Sequence, residues 1–188
     1  MFSIPFVAIF FVTNYYSIAG WKKSNVVAHD VLSETAKIDV SSSRKVLLWF
    51  FPQYYYNYPI LRSGVQQAVN FSRSIKFDEV LLPVSIVMTP RTSVHLVRKG
   101  ENRFLFEVDG ASVFFKSRNE DIPEGFTLAN DYYTLQVQDK TADYCILEVE
   151  FIRPKPEYRN YYFDGKKFVE FGDVLESNIP LLGDKNGI

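Results

Sequence analysis

Cysteine is almost missing from this 188-residue sequence: Cys145 is the only one. A lone thiol closes no intramolecular disulfide and builds no Cys-rich zinc site, so packing has to hold the fold. Histidine is nearly as scarce. His29 and His95 lie far apart and form neither an H-x-x-x-H nor an H-E-x-x-H pair, and no metal site is expected. Charge of one sign is missing too. Lys and Arg number 21 against 22 Asp and Glu, for a formal net charge of −1. That balance leaves no global footprint for nucleic acid or an anionic membrane. The glycines make no G-x-G-x-x-G or P-loop spacing, so no phosphate cradle or cofactor is indicated. No G-x-S-x-G context appears either, which argues against nucleophilic catalysis. Long apolar runs are absent, and no transmembrane segment is expected, since a bilayer core of about 30 Å needs roughly 20 apolar residues.

What the sequence has in excess is aromatic rings, 17 Phe and 12 Tyr, within a hydrophobic fraction of 47%. Aromatic and β-branched side chains suit a half-buried pleated surface, so the composition leans toward strands around a real core. The apolar run Ile4–Val12 is followed by Thr13 and Asn14, then by Ser17 and Ala19. These small residues fit the −3 and −1 positions of a signal-peptidase site. The expectation is a signal peptide over 1–19, a single β-rich domain over 20–176, a loosely ordered tail over 177–188, and a secreted product.

Val27, Val31 and Leu32 recur at helical spacing, as do Leu61, Val65, Ala68 and Val69. They predict one or two short helices near the N-terminus. Lys45–Phe51 (KVLLWFF) reads as a buried strand closed by Pro52. From Glu79 the pattern changes to period two. Val80–Met88 is a strand candidate interrupted by Pro83, and Thr92–Arg98 and Arg103–Val108 follow. Asp109-Gly110 reads as a hairpin turn returning along Ser112–Lys116, which makes a three-strand meander. Tyr133, Leu135 and Val137 alternate with polar residues. Cys145, Leu147, Val149 and Phe151 share one strand face, with Glu148 and Glu150 on the other. The fold class is therefore mostly β (α+β), an antiparallel sheet, meander or sandwich.

No catalytic residue stands out. Glu148 and Glu150 are the best carboxylate pair, but neighbours on one strand face are ordinarily the outer charges of a sheet. The most distinctive segment is Gln53–Tyr58 (QYYYNY), with Tyr54, Tyr55, Tyr56 and Tyr58 as candidate binding residues. Tyrosine supplies large contact area at low rotamer cost and is enriched at interfaces. In an extended segment Tyr54, Tyr56 and Tyr58 would point one way and Tyr55 the other. Asn70-Phe71-Ser72 is a sequon, which makes Asn70 a candidate glycosylation site in a secretory chain.

The chain closes on Tyr161-Tyr162-Phe163-Asp164-Gly165-Lys166-Lys167-Phe168-Val169-Glu170-Phe171. This phrase resembles the FAINT domains of secreted piroplasm proteins: aromatic strands, a short Gly/Lys turn, then an aromatic residue followed by hydrophobic or acidic ones. Phe168 stands where that family usually carries Trp. The resemblance implies export to the host interface, and no reaction. The reading that follows is a secreted, non-enzymatic interaction domain with a protein partner. Its alternatives are a small-ligand carrier with an apolar pocket and a secreted hydrolase.

Overall fold

The computed structural model describes residues 4–39, 43–61, 64–71, 76–115, 122–152 and 158–171, with side chains in the first helix from Tyr15 onward. The tail over 177–188 lies outside the described residues. The elements run α1 (Ile4–Ala36), β1 (Lys45–Trp49), β2 (Phe51–Tyr55), β3 (Tyr58–Pro59), α2 (Val65–Phe71), β4 (Glu79–Leu81), β5 (Ser85–Arg98), β6 (Arg103–Phe114), β7 (Thr127–Ala129), β8 (Tyr133–Lys140), β9 (Tyr144–Phe151), β10 (Tyr158–Phe163) and β11 (Phe168–Glu170). The mostly-β expectation holds.

The helical stripe at Val27 and Val31 belongs to a much longer element than the sequence suggests, because α1 runs 33 residues. Pro5 falls in its first turn, where a missing N–H costs nothing, so the apolar run and the stripe fuse. The helix passes through Ser17–Gly20 without a break. Its inward face is Ser24, Val27, Val31 and Thr35, at spacings of three and four residues. Among the described residues, no helix is long and apolar enough to cross a membrane.

The strands form two sheets. One has the order β11-β10-β1-β4 and the other β3-β2-β5-β6-β9-β8-β7. The first departs from an antiparallel meander, because β1 pairs in parallel with both β10 and β4. In the second, β2 runs parallel to β5 and the remaining pairs are antiparallel. The KVLLWFF run feeds both sheets. Phe50, at φ 57°, ends β1 and starts the chain into β2, so six consecutive residues from Val46 to Phe51 are buried. Pro52 therefore lies inside β2 rather than closing a strand. It sits at a register shift before Tyr54, where a missing donor is tolerated.

Two further expectations are corrected. The segment Val80–Met88 divides at Leu82-Pro83-Val84 into β4 of one sheet and β5 of the other. Asp109-Gly110 makes no turn but lies within β6, which pairs with β5 along almost its whole length. The residues Thr89–Thr92 bulge out of β5 opposite it, between the pairs Met88–Ala111 and Ser93–Asp109. Gly110 takes φ 64°, and a Cβ there would stand 2.7 Å from the Arg91 backbone. The D-G signal was a real demand for positive φ, answered by a bulge instead of a hairpin.

The closing hairpin forms where the sequence places it. The Asp164 carboxylate accepts hydrogen bonds from the Lys166 and Lys167 amides at 2.8 Å. Gly165, at φ 106°, lies so close to the Thr92 carbonyl that no side chain fits. The Val94 amide donates to the Asp164 carbonyl at 3.1 Å. The turn of one sheet is thus seated on the bulge of the other.

Between the sheets lies an aromatic core. Trp49 is fully buried, with ring centroids of Tyr133, Phe151, Phe171 and Phe106 at 5.0, 5.9, 5.9 and 6.3 Å. Its Nε1–H donates to the Asn160 Oδ1 at 3.1 Å.

Candidate functional site

The tyrosine segment is a strand followed by a tight turn, so its side chains do not simply alternate. Tyr54 and Tyr55 lie in β2 and both are buried. The register shift between Pro52 and Tyr54 rotates the end of the strand, and Tyr56, at φ 52°, leaves it. Tyr56-Asn57 turns into β3, with Tyr55 paired to Tyr58 across the hairpin. Tyr54 packs on Phe114, and Tyr55 meets Tyr56 edge to face at 5.0 Å. Burial raises the Tyr55 phenol above its usual pKa, with the neighbouring Tyr56 adding to the effect. Of the four tyrosines, Tyr56 is 49% exposed and Tyr58 is partly covered.

What covers Tyr58 is α1. Its ring lies against Gly20, so closely that a Cβ at that position would collide with it. Its hydroxyl donates to the Tyr16 carbonyl at 3.3 Å, and Trp21 meets it edge to face at 5.8 Å. The buried Ser24 hydroxyl donates to the Pro59 carbonyl at 2.6 Å. The β2–β3 hairpin is thereby fixed to the helix. Tyr15, Tyr16, Ile18 and Trp21 stand exposed on that helix, Trp21 at 48%. Sequence reasoning found the hairpin's share of this surface and missed Trp21, which looks like an ordinary helix residue until Tyr58 is placed beside it.

The other singled-out residues fall into structural roles. Asn70, in the last turn of α2, holds Phe77: its Nδ2 donates to the Phe77 carbonyl at 2.8 Å and its Oδ1 accepts from the Phe77 amide at 2.7 Å. Cys145 is a free, buried thiol facing the core, and desolvation pushes it up to about 11. His29 is exposed on α1 beside Asp30, and His95 is exposed in β5 opposite Glu107. Glu148 pairs with Arg103 and accepts from Gln138 at 3.1 Å, while Glu150 is exposed opposite Arg103. The two glutamates therefore sit on the outer face of a sheet, tied to its own side chains. Among the described residues, no group of three His, Cys, Asp or Glu is placed to hold a metal.

One concavity was invisible in the sequence. Where the parallel sheet reaches β4, its strand register aligns Leu81, Leu47 and Asn160 in one row. That row, with Tyr158, floors a pocket of about 320 Å³. Tyr133 and Phe151, the Asn130–Tyr132 turn of the opposite sheet and Leu82-Pro83 complete its walls. Trp49, behind the pocket, joins the two sides through Asn160 and Tyr133. Comparison with protein-family models, with curated proteins and with solved structures finds no match to this chain.

Proposed function

We propose that this chain is a secreted, non-enzymatic interaction domain, and that it meets a protein partner through the aromatic surface where the β2–β3 hairpin joins α1. The observation that carries this reading is the exposure of Tyr56 and Trp21, each about half accessible, on the two elements that Tyr58 ties together. Large rings held in place by their neighbours lose little conformational freedom on binding, which is what makes Tyr and Trp frequent anchors at interfaces. The hairpin is held to the part of the helix that begins at Gly20 by the Ser24 hydrogen bond to Pro59 and by the packing of Tyr58 on Gly20 and Trp21, so this surface is preorganised. The resemblance of the closing hairpin to FAINT domains adds a setting for the partner, the host side of an exported parasite protein.

The test is recovery of a defined partner from serum or plasma-membrane extracts by wild-type protein and by Tyr56→Ala with Trp21→Ala. The double variant is expected to lose at least tenfold in affinity, about 1.4 kcal/mol, with its thermal unfolding unchanged. Little salt dependence is expected, because the contact rests on rings and the formal net charge is only −1. Equal recovery by both proteins would end this assignment. Processing is tested separately, by sequencing the N-terminus of native protein. A start near Gly20 supports secretion and retention of Met1 refutes it.

A further inference from the structure

We propose that the pocket beside β4 is a binding site for a small molecule with a flat, hydroxylated apolar body and a cationic amine head. This site lies apart from the aromatic surface described above and does not rest on it. Leu47, Leu81, Leu82, Pro83, Phe151 and the rings of Tyr132, Tyr133 and Tyr158 make most of the wall apolar, and the volume of about 320 Å³ suits a single ring with a short chain. Apart from the tyrosine hydroxyls, the polar residues of the lining are few: Asn160 on the floor, and Asn130 and Asp131 on the wall from the opposite sheet.

Their hydrogen bonding leaves particular groups open. Asn160 Oδ1 is taken by the Trp49 indole, which fixes the amide and leaves Nδ2 without a partner among the described residues. Asn130 Oδ1 accepts from the Tyr132 and Tyr133 amides at 2.8 and 3.0 Å, which shapes the turn carrying Asp131. Among the described residues, the Asp131 carboxylate has no hydrogen bond or ion pair and is the one formal charge in the lining. Two charges beside Tyr158 are already engaged: Glu79 accepts from the Tyr158 hydroxyl, and Lys45 lies over the Tyr158 ring at 5.5 Å. A free carboxylate beside several aromatic faces favours a cation, by charge and by ring quadrupole together. The Asn160 amide donor calls for an oxygen on the body.

Three probes with one body and different heads test this: tyramine, tyrosol and 4-hydroxyphenylacetate. Each is titrated to millimolar levels while the Trp49 Nε1–H resonance is followed by NMR. This proton is bonded to the Asn160 side chain that lines the pocket, so filling the pocket moves it. Tyramine is expected to bind about tenfold more tightly than the carboxylate, with tyrosol between them. Asp131→Asn should bring tyramine to the level of tyrosol and leave tyrosol unchanged. Asp131 lies in an exposed turn, so this variant keeps the fold, and an unchanged spectrum away from the pocket verifies it. An unmoved Trp49 signal with all three probes overturns the proposal. So does carboxylate binding equal to or tighter than amine binding, or an amine preference that survives Asp131→Asn.

Discussion

The two sheets are built on opposite plans. In the seven-stranded sheet, β5–β6 and β8–β9 are antiparallel hairpins joined by short turns, and β6 and β9 join the two hairpins edge to edge. In the four-stranded sheet, β1 is clasped in parallel by β4 and β10, and the Trp49–Asn160 bond joins residues 111 positions apart. A sheet of local hairpins declares itself through alternation and turn residues. A parallel sheet assembled from distant segments shows only short apolar runs, and nothing in a run names its partner. The functional candidates divide the same way. The hairpin tyrosines are adjacent in sequence, while the pocket draws on β1, β4, β10 and the turn before β8.

The largest expected effect comes from the residue on which both sheets converge. Trp49→Ala should cost about 3–5 kcal/mol in chemical denaturation, the usual range for emptying a buried large aromatic site. The contrast between the sheets predicts how lesions divide kinetically. Leu147→Ala, in the local sheet, should mainly slow folding, whereas Leu48→Ala, in the parallel sheet, should mainly speed unfolding. Stopped-flow measurements giving the same partition for both would erase the distinction.

The junction comes next. Gly165→Val puts a branched side chain at φ 106° against the Thr92 carbonyl, and should cost roughly 3 kcal/mol. Gly125→Val, at φ 78° with nothing within 4 Å of the added Cβ, isolates the backbone term and should cost less. Equal losses in the two would mean that the turn is not seated on the bulge.

A third expectation concerns pH in the local sheet. The Cys145 thiol has an ordinary value of 9.0 when unfolded and about 11 when folded, because burial disfavours the thiolate. Stability from this group is complete below pH 9.0 and is lost as pH rises through about 11, where the unfolded chain binds fewer protons. The upper bound is about 2.8 kcal/mol, at about 1.4 kcal/mol for each tenfold change in proton affinity. Cys145→Ala should remove that part of the alkaline slope. Thiol labelling of folded protein near neutral pH should be slow, and rapid labelling would refute the burial argument.

The smallest effects compare one ion-pair site from each sheet. Arg159 donates to the Glu170 carboxylate with two nitrogens, the Nε contact at 2.7 Å, and reaches Asp39 beyond α1 at 2.9 Å. The burial of most of the Arg159 side chain and its two-nitrogen contact with Glu170 predict a loss of about 1–2 kcal/mol for Arg159→Met. The Arg103 and Glu148 pair on the outer face of the other sheet should lose less, under about 1 kcal/mol, when Glu148 is changed to Gln, since Arg103 is more than half exposed and its charge is screened.

How much of this was legible follows from the same physics. The strands around Phe106, Leu135 and Cys145 were readable because one buried face leaves a period of two. The closing hairpin was readable because Asp164 and Gly165 are strong turn chemistry. Asp109-Gly110 misled because a bulge and a turn ask the same thing of glycine. Tyr54 and Tyr55 defeated the alternation rule because a register shift lies between Pro52 and Tyr54. Asp131 carried no signal, since its surroundings come from strands that only folding brings together.

The separation of Trp49 from Asn160 also sets a schedule for synthesis. At roughly 5–20 residues per second, the 111 intervening positions take on the order of 6–20 s to emerge from a ribosome. Throughout that interval β1, within a run of six buried apolar residues from Val46 to Phe51, must wait without β10 on one side, with only the short β4 to flank it on the other. The hairpins of the other sheet can close as they appear. A nascent chain of this protein is therefore most exposed to aggregation, and most in need of a chaperone's cover, at its first strand and until its last hairpin is made.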